Sequence, residues 1–313
     1  MKTRRVNVSM VKKFVQCPFR WWCEYVKQRV PIATAPALDA GRVLHHIFER
    51  HFRDGEALID ASRAECESFR ALIPTAHASA QPNLFKSIEV IEDLQEAFPL
   101  WVDKFKADRI LAVEEAYEMQ DPVMKNVLWI MAPDAEVTKS KYLYHRQNRG
   151  LAQSVNFGQY SRLMNRHWHE HLYAEGLTEK WLTSKRLKGY KYGGTHVNLV
   201  RKLKFRTNVG KKNEETKSAE EIFYQQTIFI SLDDPLHKSV MAALRYHTRR
   251  MIRALREWEN DGLIPAPNDD ENGNYAGNSE DIHFRLLIGE IKIDDPRYFK
   301  DREDPYNQRK KAQ

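Results

Sequence analysis

Apolar positions in the first 52 residues recur at helical spacing. Ser9 is a candidate N-cap, and Val11, Phe14 and Val15 follow it on one face. Pro18, with its fixed φ, suits the head of a second helix. Pro31 to Pro36 reads as a linker, after which Leu38 to Phe52 carries Val43, Leu44, Ile47, Phe48 and Phe52 on one stripe, with His45 and His46 inside the same helix. Residues 53–108 hold further helical patterns. The clearest runs from Ser87 to Phe105 with Ile91, Leu94, Phe98, Trp101 and Val102 as its stripe, and predicts a helical insertion.

From residue 109 the period shortens. Ile110 to Met119, Val127 to Ala132, Ala135 to Thr138 and Tyr142 to Gln147 are short β-branched or aromatic runs, broken at Asp121-Pro122 and Lys139-Ser140, and they predict a strand meander. Helical spacing returns from Tyr160 to Glu175, with Leu163, His167, His171 and Ala174 along one side and Gly176 as the stop. Ile222 to Ile230 reads as a strand and Pro235 to Asn260 as a long amphipathic helix; beyond Gly262 turn residues dominate to position 281, followed by a short apolar run and a charged tail. No internal repeat is visible. This order predicts one α/β domain with a mixed central sheet flanked by helices. Its parts are N-terminal helices (1–52), a helical insertion (53–108), the sheet and its following helix (109–176), and a basic, irregular C-terminal region (177–313).

Composition narrows the class. The 313 residues are 42% hydrophobic and 30% charged, which excludes disorder, collagen and coiled coil as descriptions of the whole. No apolar run reaches membrane-spanning length, and Lys12 and Lys13 interrupt what would be a signal-peptide core, so the expectation is a cytoplasmic protein without a membrane partner. Cys17, Cys23 and Cys66 form no CxxC pair, which fits a reducing compartment and argues against a closed zinc or iron–sulfur site. A net charge of +7 alongside 7 Trp, 13 Tyr and 14 Phe suits a polyanionic partner, since cations neutralise phosphates and aromatic faces stack bases.

The stretch richest in chemistry is Trp129-Ile-Met-Ala-Pro-Asp134, followed by Tyr142-Leu-Tyr-His-Arg-Gln147-Asn-Arg149. Read as a hairpin, it sets Asp134 near one strand and Gln147 and Arg149 on the next. Alternate residues of a strand face the same side, so Gln147 and Arg149 are expected to converge above Asp134, where an acid, an amide oxygen and a cation would hold a divalent metal and a phosphate.

Pro133-Asp134 followed by Gln147-Asn148-Arg149 resembles the PD-(D/E)XK (restriction-endonuclease-like) nuclease signature in a Gln-containing form. Gly41-Arg-Val-Leu-His45 is similar to the Gly-x-x-x-His motif of the RecB-like branch, and Ser9 with Cys17-Pro18 resembles that branch's opening helix. Glu114 and Gln159-Tyr160 fall in the expected order as accessory positions. The resemblance implies the corresponding sheet fold and a Mg²⁺- or Mn²⁺-dependent DNA nuclease of recombination, repair or defence in a bacterial or phage setting, with a helicase or recombination protein as partner. It implies His45, Asp134 and Gln147 as metal ligands and Asp134, Gln147 and Arg149 as the catalytic set. Two departures follow from side-chain chemistry: Gln147 is neutral and would weaken metal binding, and Arg149 cannot act as a base. The alternative is a non-catalytic DNA- or partner-binding member of the same fold. No cysteine follows Cys66, so the iron–sulfur cluster of some relatives is not expected.

Three other features bear on function. His167-Trp-His169-Glu-His171 fails the HExxH pattern of a zinc hydrolase and is read as a helix with interface histidines. Lys185, Arg186, Lys188 and Lys191, with Arg201, Lys202 and Lys204, lie in a Gly- and Tyr-containing context that suits a loop tracking a DNA backbone, or else an ordinary solvated loop. Arg249, Arg253 and Arg256 share one helix face. Such a stripe serves either phosphate contact or surface ion pairing, and ion pairing is the reading adopted.

Overall fold

The computed structural model describes residues 3–32, 36–78, 80–95, 109–113, 115–151, 166–183, 187–201, 223–266, 282–287 and 289–302. The chain has a mixed α/β architecture, a mixed sheet flanked by helices, consistent with the fold the resemblance implies. That sheet has five strands in the order β3 (Arg109–Val113), β6 (Ala135–Lys139), β7 (Tyr142–Leu151), β8 (Lys191–Arg201) and β9 (Phe223–Ile228). β6 and β7 form the expected hairpin, with Ala135 opposite Arg146, and β7 runs parallel to β8 from Tyr142 opposite Lys191 to Leu151 opposite Arg201.

The meander does not stay in one sheet. β4 (Tyr117–Gln120) and β5 (Val127–Met131) join β1 (Arg4–Val6) in a three-stranded sheet of order β1-β5-β4, so the run read as one strand over 110–119 is split between two sheets. β5 cannot extend into β6 as one ladder because Pro133, buried between them, has no N–H to donate.

The opening helix α1 (Val8–Gln16) is capped by Asn7, whose side chain accepts the Met10 N–H at 2.8 Å; Ser9 lies inside the first turn. α2 (Pro18–Trp21) has Pro18 in its first turn and is capped by the Cys17 thiol, which accepts the Arg20 N–H at 3.4 Å. Both pack with Trp129, Met131 and Leu172 in a core that also takes Met241 and Leu244. Burying each such apolar side chain contributes roughly 1.5–3 kcal/mol.

α3 (Pro36–Asp54) buries Val43, Leu44, Ile47 and Phe48 against α4 (Leu58–Leu72) and α5 (Gln81–Gln95), giving these three helices a core of their own. The helix expected over 87–105 therefore starts earlier. Phe98, Trp101, Val102 and Phe105 lie outside the described residues.

α6 (Trp168–Thr183) runs straight through Gly176, which does not stop it. A Cβ at Gly176 would lie 2.5 Å from Met131 Cε and 3.0 Å from the Tyr117 ring, so the glycine marks a close approach of helix and strand. The basic segment after residue 183 is likewise not a continuous loop, since Lys191 to Arg201 form β8 inside the sheet. Its signal was the alternation in Thr195-His-Val-Asn-Leu-Val, hidden by the flanking Lys, Gly and Arg.

α7 (Pro235–Asp261) begins at the Asp234 cap and ends at Gly262 with φ 70°, close to the sequence expectation. After α8 (Ile282–Leu287), β10 (Phe299–Asp301) pairs antiparallel with β2 (Arg29–Pro31), tying the late chain to the linker read over 31–36. Among the described residues no helix is long and apolar enough to cross a membrane.

α6 covers one face of the large sheet, where Leu143 meets Leu177 and Val197 meets Ala174. Also on this face, His145 packs edge-on against Tyr173 of α6, with Nε2 3.3 Å from the Tyr117 hydroxyl. Burial, reinforced by the charge of Lys180, pushes its pKa down to about 3. On the opposite face His196 stacks on Tyr144 with ring centres 3.9 Å apart, and burial, followed by the charges of Arg146 and Lys139, pushes it down to about 4. Both are held neutral when folded but take up a proton when unfolded. Their stabilisation is therefore complete above about pH 6.5 and declines as pH falls toward those values, at up to about 1.4 kcal/mol per pH unit for each. Urea midpoints measured from pH 8 to pH 4.5 should fall steeply below pH 6.5, and His145→Phe should flatten that slope. An unchanged slope in the variant would show that His145 is not one of the groups responsible.

Candidate active site

The stripe of α3 that packs on α4 and α5 leaves His45 half-buried toward the β6–β7 hairpin. Its Nδ1 lies 3.0 Å from Oδ1 of Asp134. Asp134 is 8% exposed and sits at the bend just before β6, between the two sheets. Two residues far apart in sequence, expected to meet at one centre, are brought together there.

β7 also brings Arg146 to the site. β7 keeps an unbroken register with β6, so its side chains alternate strictly between faces. Leu143 and His145 pack toward α6, and Gln147, opposite the buried Val197, has the same phase. Arg146 points the other way, its guanidinium 6.0 Å from the centre of the Phe52 ring on α3. Arg146 is close enough to Asp134 for the two charges to interact. Gln147, the next residue of β7, is 4% exposed, and the side chain of Arg149 lies outside the described residues.

Arg146 is the feature that sequence reasoning missed. It is 2% exposed; burial pushes its pKa down to about 10, against the opposing pull of the Asp134 charge, so it stays cationic at neutral pH. Asp134 sits at a bend one residue before β6, directly after Pro133. Glu136 was also passed over. Fully buried on the α6 face, it accepts from Lys180 Nζ at 2.6 Å, a charge-assisted bond that fixes α6 on the sheet.

The remaining expected positions divide. Glu114, Gln159, Tyr160, Lys185, Arg186, Lys202 and Lys204 lie outside the described residues. Lys188 is exposed in the turn before β8, Lys191 is exposed at the start of that strand, and the backbone of Arg201 ends it. The histidines of α6 are interface residues: His169 Nδ1 lies 3.1 Å from Lys12 Nζ of α1, and His171 Nδ1 lies 3.1 Å from His237 Nδ1 of α7.

A Mg²⁺-like ion is commonly held by one or two carboxylates, with waters and substrate phosphate oxygens completing its shell. The Asp134 carboxylate and the His45 imidazole fit that donor set as a two-ligand site. Among the described residues no group of three or more His, Cys, Asp or Glu side chains is placed to hold a metal. The Arg146 charge beside Asp134 opposes a second cation, so such a site binds weakly until a phosphate arrives.

A sequence model of the PD-(D/E)XK nuclease superfamily matches residues 5–131, a span that includes His45 and ends before Asp134. No curated protein matches the chain.

The opposing charge has a measurable effect. Arg146→Met, of similar length and apolar, should tighten Mn²⁺ binding by about tenfold, corresponding to ~1.4 kcal/mol of screened repulsion removed. Calorimetric titration reads this directly, with Asp134→Asn as the variant that loses binding. Equal affinity in wild type and Arg146→Met would mean that the guanidinium does not act on the site.

Proposed function

We propose that this protein is a metal-dependent DNA nuclease of the RecB-like type. The observation that carries the reading is the contact of His45 Nδ1 with Asp134 Oδ1 at 3.0 Å, which unites the Gly-x-x-x-His helix with the Pro-Asp turn. It is supported by the superfamily match across the first of these motifs.

In this reading Asp134 and His45 hold one Mg²⁺ or Mn²⁺ ion, which when bound polarises a phosphodiester and lowers the pKa of water. Asp134 orients its carboxylate through His45 on one side and the Arg146 charge on the other. Arg146, on the α3 side of the sheet, is cationic at working pH. Gln147 remains the expected third ligand, with its amide oxygen as donor. The settings this chemistry serves are recombination, repair or defence in the cytoplasm of a bacterial or phage-infected cell, alongside a helicase or recombination protein; that part rests on the RecB-like order of the motifs.

One observation favours the non-catalytic alternative. A buried cation beside the only described carboxylate of the site leaves little net negative charge for a metal. Cleavage of end-labelled single- and double-stranded DNA in Mg²⁺ and in Mn²⁺ separates the two readings. The nuclease reading expects cleavage that falls at least ~100-fold in both Asp134→Ala and His45→Ala. A folded wild type that binds DNA and cleaves in neither metal would overturn it in favour of the binding module.

A further inference from the structure

α7 and the turn between β4 and β5 enclose an open groove of about 380 Å³, lined by Val123, Met124, Lys125 and Asn126 on one wall and by Arg249, Ile252, Arg253 and Arg256 on the other. It shares Val123 and Arg249 with a second recess of about 560 Å³ beside it, so the two form one trough along the helix. None of these residues lies at the His45–Asp134 centre.

The charge in this trough is uneven. At its N-terminal end Arg245 is neutralised: its Nε donates to Asp121 at 2.9 Å and its Nη2 to Glu175 at 3.0 Å. Burial acts to raise the Asp121 pKa, but bonds from Trp129, the Met124 amide and Arg245 outweigh it, and the carboxylate stays ionised below its ordinary range. Asp121 also accepts the Val123 and Met124 N–H groups at 2.8 and 2.6 Å, which fixes the turn that forms the far wall. Farther along, Lys125, Arg249, Arg253 and Arg256 form no ion pair with a carboxylate among the described residues, and no acidic side chain lines that part of the groove. The surface ion pairing expected for this stripe is not seen among the described residues.

We propose that this groove is a docking surface for the phosphate backbone of duplex DNA, separate from the hydrolytic centre. Arg249, Arg253 and Arg256 are spaced i, i+4 and i+7, so about 10 Å of helix presents a row of cations with no ion-pair partner among the described residues. Cations left unpaired along a rigid helix complement a partner with regularly repeated negative charge. Among the described residues no aromatic side chain lines the groove, so it offers phosphate contact without the stacking platform that single strands use. Met124 and Ile252 beneath are buried, which keeps the two walls in place. The surface is argued from charge and geometry and stands whether or not the His45–Asp134 centre hydrolyses DNA.

The test uses the full chain carrying Arg249→Gln, Arg253→Gln and Arg256→Gln together. Arg249 and Arg253 are exposed and Arg256 half-buried, so circular dichroism and the melting temperature should match wild type. Binding is followed by fluorescence anisotropy with a labelled 20-base-pair duplex of two unrelated sequences, a 20-nucleotide single strand and a polyglutamate peptide, from 50 to 200 mM NaCl in EDTA. The triple variant should lose at least tenfold in duplex affinity for both sequences. The slope of log affinity against log salt should shrink by about 2.7, from ~0.9 per phosphate contact. Asp134→Ala should leave that slope unchanged, which separates failure here from failure of the nuclease reading. An unchanged duplex affinity and slope in the triple variant would overturn the proposal, as would a loss confined to single strands. Polyglutamate binding as tightly as duplex, with the same loss in the variant, would reassign the groove to an acidic protein segment.

Discussion

Strand alternation in β7 is the constraint on which the site depends. Because β7 is held in unbroken register by β6, the choice of which of its side chains face α3 and which face α6 is fixed along the hairpin. That choice turns the cation Arg146 toward α3 and Leu143 and His145 toward α6. Among the described residues the centre then pairs the Asp134 carboxylate with the His45 imidazole, within reach of the Arg146 charge. A one-residue slip would exchange the two faces and drive Leu143 and His145 out of the apolar layer formed with Leu177 and Tyr173. The packing under α6 thus fixes the chemistry above it.

A second set of buried polar contacts joins the two sheets. Asp121 receives Trp129, Arg245 and two turn amides, Glu175 receives Arg245 and lies 3.2 Å from His237, and His171 meets His237. These contacts link β4, β5, α6 and α7. They cross where α6, pressed against Met131 at Gly176, leaves the large sheet for the small one. A buried network of this kind makes little net contribution when complete and is costly to break, so its effect is to fix how α7 sits on the fold. The basic groove inherits its walls from that placement.

Much of this was legible in the chain. The helices of residues 8–54 and 235–261 follow from apolar spacing and from Pro18, Pro235 and Gly262, and the β6–β7 hairpin follows from two short alternating runs. His45 and Asp134 were legible because their motifs name residue types with few other uses together. What escaped was phase and partnership. That Arg146 lies close to Asp134 depends on the β6–β7 register, which no local pattern records. β8 is masked by the cations at both its ends. Gly176 looks like a helix stop until Met131 and Tyr117 are placed against it, and the pairing of Glu136 with Lys180 requires the register of α6 on the sheet. Each of these depends on contacts between segments distant in sequence.

The central claim is that His45 and Asp134 together form the metal- and phosphate-binding centre. Electron spin echo spectroscopy of Mn²⁺ added with an uncleavable phosphorothioate duplex tests it most directly. The account predicts nitrogen couplings from one imidazole, abolished by His45→Gln and retained when His169 is replaced, together with phosphorus coupling from the DNA. Mn²⁺ signals without imidazole nitrogen, or nitrogen couplings that survive His45→Gln, would contradict it.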